Sequence, residues 1–213
     1  MWRPSIVGTA LILSVPILTI VFSVFEPPGE NWQHLKDTVL PEYLGNSLLL
    51  TFGVGSGTLL IGVSTAWLTA MCRFPGKNLF VWLLLLPMAM PAYIVAYTYT
   101  GMFDFAGPVQ TTIRDWTGWR YQEYYFPQIR SMGGAIAMLS LVLYPYVYLL
   151  GRSTFLEQSV GVMEVSRTLD CGPWTVFYRV ALPLARPAIV AGLSLALMET
   201  LADYGTVAYF GLG

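Results

Sequence analysis

The stretch Asn46–Met71, with the sequence NSLLLTFGVGSGTLLIGVSTAWLTAM, decides the class of fold. It contains 26 residues and not one Asp, Glu, Lys or Arg. About 20 such residues cross the hydrocarbon core of a bilayer as a helix, which satisfies its own backbone hydrogen bonds. Gly53 and Gly57 share one helical face, and small residues let membrane helices approach closely. This stretch therefore predicts a membrane-spanning helix packed within a bundle.

Four further stretches have the same character, and the composition of the whole chain agrees with them. The chain has 213 residues, of which 55% are hydrophobic and 11% charged, against about 25% charged in an ordinary soluble domain. The formal net charge of −1 leaves no basic field for nucleic acid. The predicted fold is an all-α polytopic membrane helix bundle surrounded by membrane lipid. The further candidate spans are Ser5–Phe25, Leu79–Phe103, Ser131–Gly151 and Ala188–Phe210.

The first candidate span has a second interpretation as a signal peptide, because Arg3 precedes its apolar run. The run is long for the apolar part of a signal peptide. In addition, the residues Phe25-Glu26-Pro27-Pro28 lack the small-residue cleavage pattern. A retained membrane helix is therefore the preferred interpretation.

The distribution of Lys and Arg predicts the orientation, because these residues are enriched in cytoplasmic loops. With the N-terminus inside, seven of the 11 fall on the cytoplasmic side. Cys72 and Cys171 then also lie there, where thiols stay reduced, so neither a disulfide nor a metal or cofactor site is expected. The seven are Arg3, Arg73, Lys77, Arg152, Arg167, Arg179 and Arg186, and the four outside are Lys36, Arg114, Arg120 and Arg130.

The third candidate span contains Pro87 and Pro91, four residues apart. Each proline removes a helical hydrogen bond and clashes with the preceding turn, so we expect a kinked or broken helix there. Broken helices at membrane depth face protein or a wet cavity. Two interpretations stay open: the break lines a substrate pathway, or it reflects the general frequency of proline in membrane helices.

The inside loop Arg152–Pro187 is much longer than most connections between helices, which suggests a function of its own. A break at Cys171-Gly172 divides it into two amphipathic pieces. The second piece starts at Pro173 and is predicted to end at Pro183 and Pro187, before the fifth span. Charged residues beside an apolar face on the first piece favour a docking site for a partner. The apolar stripe of the second piece consists of Trp174, Phe177, Tyr178 and Ala181.

The same loop resembles that of the permease subunits of binding-protein-dependent ABC importers of the type I fold. Their signature is Glu-Ala-Ala, three residues, Gly, nine residues, then Ile-x-Leu-Pro. Val165, Ser166 and Asp170 depart from this signature, and Gly172 is expected to take over the left-handed turn of the family's glycine. The resemblance covers about residues 44–213. The residues at the corresponding positions, with the same spacing, are Glu164-Val165-Ser166, Asp170 and Val180-Ala181-Leu182-Pro183.

The resemblance implies partners and a division of labour. The ATPase-coupling loop would sit in a cleft of a cytoplasmic ATP-binding subunit, and a periplasmic or extracellular substrate-binding protein would deliver substrate. A second permease half or subunit would complete the pathway. The chain itself is expected to be a transport subunit and not an enzyme, because Gly76-Lys77 would need a glycine at Met71 to form a phosphate loop. The coupling residues carried over are Glu164, Val165, Ser166, Arg167, Asp170, Gly172, Leu182 and Pro183.

The substrate implied by the resemblance is ferric iron, because Met198–Val207 and the following Tyr209-Phe210-Gly211 are most similar to ferric-iron permeases. Permeases for thiamine, polyamines, and the oxyanions molybdate and sulfate share the general loop, so these substrates stay open as alternatives. A secondary cation transporter is a rival from another class, although it would need no patterned inside loop.

The last candidate span carries two acids, Glu199 and Asp203, on one helical face. A charge at the centre of a membrane helix costs about 2.5–3.5 kcal/mol, which makes such acids candidates for function. Both are predicted to point inward with the small residues of the span, whereas Ile189 is predicted to meet lipid. Two roles stay open: lining a cation pathway, or pairing with groups of another helix.

Two domains are expected, residues 1–43 with the first membrane helix and an outside loop, and residues 44–213 with the permease core. The expected location is a bacterial cytoplasmic (inner) membrane, with several spans and the N-terminus inside. In the family that the chain resembles, a further helix follows the position of Gly213. The type I permease fold is therefore expected to be incomplete here, as the first half of a longer protein.

Overall fold

The computed structural model describes residues 14–19, 21–22, 35–120, 123–158 and 172–211. Within these ranges the chain forms helices joined by turns and no strand. It separates into two compact units, Met1–Tyr43 and Leu44–Gly213. In the first unit, residues 14–19 and 21–22 are helical, and the rest of the predicted span Ser5–Phe25 lies outside the described residues.

The first long helix, α1, covers Leu40–Met71 and follows a π-helical turn at Leu35–Val39. Its 32 residues extend for about 48 Å at 1.5 Å per residue, more than a bilayer core requires. Glycines of α1 face the helix α5, Met132–Glu157, so closely that a Cβ at Gly53 would lie 2.5 Å from Ile136 Cδ1. The predicted contact face is therefore confirmed. Its close neighbours are Gly53 with Ile136, Gly57 with Ser140, and Gly62 with Val147.

The third predicted span is broken at its two prolines, as expected. Helix α2, Lys77–Leu83, leads into a 3-10 turn at Leu86–Ala89, and helix α3, Ala92–Phe103, follows. The two halves are bent by 100°. Pro87 and Pro91 have no N–H to donate, and the chain between the halves is extended, so the hydrogen-bond ladder cannot pass through.

Two tyrosines of α5 satisfy carbonyl groups that lie near this break. The Tyr144 hydroxyl donates to the Leu84 carbonyl oxygen at 2.8 Å, and the Tyr148 hydroxyl donates to the Val81 carbonyl oxygen at 3.4 Å. Both tyrosines are buried, so their hydroxyl groups need partners as much as the carbonyls do. The broken span is thereby attached to α5 by polar contacts.

The rings of Trp67 and Phe155 show the direction of the long helices. Trp67 lies near the carboxyl end of α1 and Phe155 near the carboxyl end of α5, and their ring centroids are 5.4 Å apart. These two helices therefore run in the same direction, and the chain between them has to traverse the bundle. The bent segment, followed by the short helix α4 at Pro108–Thr117, makes this crossing.

The last part of the chain forms one nearly continuous helical segment. Helix α6, Pro173–Val176, passes through a π-helical turn at Phe177–Ala181 into helix α7, Leu182–Ala202, and the short helix α8 covers Tyr204–Tyr209. Helices α5 and α7 pack along each other.

Two predictions about this part were wrong. Pro183 and Pro187 do not end a helix: Pro183 lies in the first turn of α7, where its missing N–H is tolerated, and Pro187 lies inside the helix. The fifth span therefore begins before Ala188. It also does not continue to Phe210, because Asp203 interrupts the helix between α7 and α8.

Within the described residues, three helical segments are long and apolar enough to cross a membrane, and there are four if the bent pair is counted as one span. Together they confirm the predicted all-α polytopic bundle for the described residues. The three long segments are Lys36–Met71, Met132–Glu157 and Trp174–Ala202.

Candidate functional site

The predicted coupling loop joins α5 to α6 at the end of the bundle where α1 also terminates. Helix α5 ends at Glu157 and α6 begins at Pro173. Five of the predicted coupling residues fall between these helices and lie outside the described residues, so their role stays a prediction. They are Glu164, Val165, Ser166, Arg167 and Asp170.

The other three coupling residues belong to the helical segment that leads into α7. The carbonyl of Gly172 accepts the Val176 N–H at 3.1 Å, so Gly172 begins a helix. The left-handed turn expected at Gly172 depends on the preceding residues 159–171, which lie outside the described residues, so it stays a prediction. Leu182 is half-buried and donates its N–H to the Phe177 carbonyl, and Pro183 follows in the first turn of α7.

Three aromatic rings meet directly beside this segment. Phe177 lies 4.8 Å from Trp67 and 6.5 Å from Phe155, measured between ring centroids. All three side chains are buried. From the predicted apolar stripe, Phe177 and Ala181 are buried, whereas Trp174 and Tyr178 are exposed. The segment after the loop is thus held against both α1 and α5 by what we call the aromatic clamp: Trp67, Phe155 and Phe177.

A cavity of about 280 Å³ lies at the break in the third span. The extended segment Met90-Pro91 and the first residue of α3, Ala92, form one side, and Tyr146 of α5 and Glu199 of α7 are also part of its lining. The cavity therefore contains a helix N-terminus, a phenol and a carboxylate. Such a mixture of polar groups beside a broken span is typical of a pathway and unusual for an apolar packing defect.

The two acids of the last span are separated by the structure. Glu199 is exposed in the single chain and belongs to the lining of the cavity, and its predicted role in the pathway stays a prediction. Asp203 is half-buried, and its Oδ1 accepts the Thr206 N–H at 2.9 Å, which caps α8. Its Oδ2 is buried without a hydrogen-bond partner in the described part of the chain. In the same part, no three His, Cys, Asp or Glu side chains are grouped as a metal site.

The buried face of α7 differs from the predicted one. Ile189 is buried, so the prediction that it meets lipid was wrong. The physical reason is the close approach at Gly192, whose Cβ would lie 2.8 Å from the Tyr146 carbonyl oxygen of α5. The contact between α5 and α7 passes through Gly192, and Glu199 therefore lies at the edge of this contact. The buried residues of α7 are Ala185, Ile189, Gly192, Ala196 and Thr200.

A second cavity, of about 470 Å³, lies at the opposite end of the bundle. Arg130 is exposed in its lining, with its guanidinium 5.2 Å from the Tyr209 ring centroid. Tyr124 donates a hydrogen bond to Gln110 at 2.8 Å and accepts one from Arg114 at 3.3 Å. These contacts hold the segment between α4 and α5 against the helix ends.

A helix bundle with several crossings, a broken span and a polar cavity at the break defines an integral membrane protein with the architecture of a transport subunit. The chain belongs to the family described as the binding-protein-dependent transport system inner membrane component, whose sequence profile matches residues 58–213. The resemblance to type I ABC importer permeases is therefore confirmed, and the protein is a multi-pass permease subunit of the inner membrane.

Individual relatives are named for the transport of molybdenum, sulfate and 2-aminoethylphosphonate. The chain is 29% identical over 174 residues to the molybdenum transport system permease protein ModB of Escherichia coli K12, covering 80% of this chain and 72% of the relative. It is 25% identical over 206 residues to the sulfate transport system permease protein CysT of the same strain, covering 96% and 72%. It is also 25% identical over 185 residues to the putative 2-aminoethylphosphonate transport system permease protein PhnU of Salmonella choleraesuis SC-B67, covering 85% and 63%. None of these three names supports the predicted ferric-iron substrate.

Sequence reasoning missed the aromatic clamp and the tyrosines at the break. The clamp joins residues far apart in the chain, and no local pattern links Trp67 to Phe155 or Phe177. Tyr144 and Tyr148 carried a usable signal, because two phenols one helical turn apart in an apolar span need hydrogen-bond partners.

Proposed function

We propose that this chain is the permease of an ATP-driven importer for a tetrahedral oxyanion of the molybdate or sulfate class. The observation that carries the proposal is the set of relatives, which are named for molybdenum, sulfate and 2-aminoethylphosphonate transport and align with 80%, 96% and 85% of this chain. Molybdenum in neutral water is the oxyanion molybdate, and a phosphonate group has a similar tetrahedral arrangement of oxygens. The oxyanion alternative is thus better supported than ferric iron.

The electrostatics of the broken span favour passage of an anion. The N–H groups of Ile94 and Val95 both donate to the Pro91 carbonyl, which leaves those of Ala92 and Tyr93 as the free donors of the first turn. A helix N-terminus carries a positive partial charge, and broken helices of transporters use such ends for anionic groups. Because Pro91 and Ala92 line the cavity, this charge acts on its contents.

Glu199 is the observation that favours the second candidate function, import of a cation such as ferric iron. Its carboxylate lines the same cavity, and hard oxygen ligands suit ferric iron. A single carboxylate at the exposed rim is weaker support than the relatives, so cation import remains the second candidate.

The partners follow from the proposed function. A cytoplasmic ATP-binding subunit docks on the loop that contains Glu164 and Arg167, and a substrate-binding protein docks at the opposite end. A second permease copy or half completes the pathway, and the N-terminus lies inside. Charge reversal at Glu164 or Arg167 lowers co-purification of the ATPase. Unchanged co-purification with unchanged ATP hydrolysis by the complex would contradict this docking site.

The test is uptake by the complex with its ATPase and binding protein, reconstituted in proteoliposomes. We expect uptake of labelled molybdate or sulfate that requires ATP inside and is inhibited by an excess of the other oxyanion. Identical vesicles without ATP provide the control. ATP-dependent uptake of ferric iron, thiamine or a polyamine without oxyanion uptake would overturn the proposed substrate, and oxyanion uptake without ATP would overturn the mechanism.

A further inference from the structure

The aromatic clamp joins three separate parts of the chain at the end of the bundle that carries the coupling loop. Trp67 comes from the last turns of α1, Phe155 from the last turns of α5, and Phe177 from the first turns after Gly172. The Trp67 and Phe155 rings meet edge to face at 82°, and the Trp67 and Phe177 rings are tilted by 55°. Such pairs stabilise the contact beyond the area that they bury.

The segment that carries Phe177 enters α7 through a π-helical turn. The Leu182 N–H donates to the Phe177 carbonyl, five residues back, which is the hydrogen bond of a π-helix. Short π-helical turns recur at functional sites. Phe177 therefore lies between the coupling loop and α7, at the point where the chain contacts both α1 and α5.

We propose that Phe177 is a positioning residue that passes movement of the coupling loop to α1 and α5 through the aromatic clamp. This inference rests on the proposed function, because an ATPase partner has to move the loop. Movement of α5 would also affect the cavity at the break. Tyr144 and Tyr148 of α5 donate hydrogen bonds to the broken span, which forms one side of this cavity.

The test compares variants in the reconstituted complex by the number of substrate molecules imported per ATP hydrolysed. Phe177→Leu keeps an apolar side chain but removes the ring pairs with Trp67 and Phe155, as well as those with Trp174 and Tyr178. We expect a fall of about tenfold in this ratio. Phe52→Leu is the matched control, since Phe52 lies on α1, is 76% exposed and is expected to leave the ratio unchanged. Assembly is measured in parallel by co-purification of the ATPase.

Two substitutions of Trp67 test whether the position requires an aromatic ring or only an apolar side chain that fills the space. Trp67→Phe keeps an aromatic ring and is expected to retain most of the ratio, whereas Trp67→Leu is expected to lose it. A purely structural role would lower the amount of assembled complex but not the ratio within it. The inference is overturned if Phe177→Leu and Trp67→Leu complexes import as many molecules per ATP as wild type, or if Trp67→Phe and Trp67→Leu are equally impaired.

The outcomes distinguish this inference from the proposed function. A wild-type complex that shows no ATP-dependent uptake contradicts the proposed function itself. A wild-type complex that couples uptake to hydrolysis, together with variants that couple equally well, contradicts only the clamp. If Phe177→Leu does not assemble, the comparison of Trp67→Phe with Trp67→Leu decides alone.

Discussion

Replacing Gly192 with alanine adds one methyl group at the closest approach of α5 and α7. The new Cβ would lie 2.8 Å from the Tyr146 carbonyl oxygen and 2.9 Å from the Val147 Cα, both backbone atoms that cannot rotate away. Ordinary contact begins at 3.4 Å, so the helices have to separate locally by about 0.6 Å. Overpacking costs about 1–3 kcal/mol, and the better helix propensity of alanine returns about 1 kcal/mol. Because the opposing atoms are rigid backbone atoms, the overpacking cost is expected in the upper part of this range, about 2–3 kcal/mol, which leaves a net destabilisation of about 1–2 kcal/mol.

The assay is thermal unfolding of the purified chain in detergent, where this loss corresponds to a fall in the midpoint of about 2–8 °C. Gly101→Ala on α3 is the matched control: it is an exposed helical glycine, and a Cβ there would have no neighbour within 4 Å. We expect its midpoint to stay constant or rise. Equal midpoints for the two variants would show that α5 and α7 do not meet at Gly192 as described.

Three further substitutions test the broken span and the acids. Tyr144→Phe removes the 2.8 Å hydrogen bond to the carbonyl at the break and should cost about 0.5–1.5 kcal/mol in the same unfolding assay, with the 59% exposed Tyr93→Phe as control; equal midpoints would contradict it. Asp203→Ala removes the cap of α8 and should cost about 1 kcal/mol, whereas Asp203→Asn keeps the acceptor and should not; the reverse order would refute the capping role. Glu199→Gln should leave oxyanion uptake constant or raise it, because it removes a negative charge from the cavity; a large fall would favour a cation pathway.

The features that could be predicted from the sequence are those that depend on residues close in the chain. Gly53 and Gly57 lie one turn apart, so their shared face follows from helical periodicity and α5 indeed occupies it. Pro87 and Pro91 block helical hydrogen bonds by their own covalent structure, so the break follows wherever the helix lies. Neither conclusion needs knowledge of the neighbouring helices.

The features that could not be predicted depend on which part of a neighbouring helix each residue contacts. Pro183 gives the same local signal whether a helix ends before it or begins at it, and only the fold decides. Ile189 is buried against α5 and does not meet lipid, because the two helices approach closely at Gly192, where the partner is a backbone segment. The substrate class had a further limit: it came from a resemblance over Met198–Gly211, and the named relatives point elsewhere.

The parallel course of α1 and α5 has a practical consequence for experiments on sidedness. Since the bent segment returns the chain to the end of the bundle where α1 begins, the turn at residues 72–76 shares one face of the bilayer with the end of α5 and the beginning of α6. The described residues of 104–131, together with 203–211, share the other face. Cys72 is a free and partly accessible thiol. The side of the membrane from which a labelling reagent reaches it therefore determines the side on which all four regions lie.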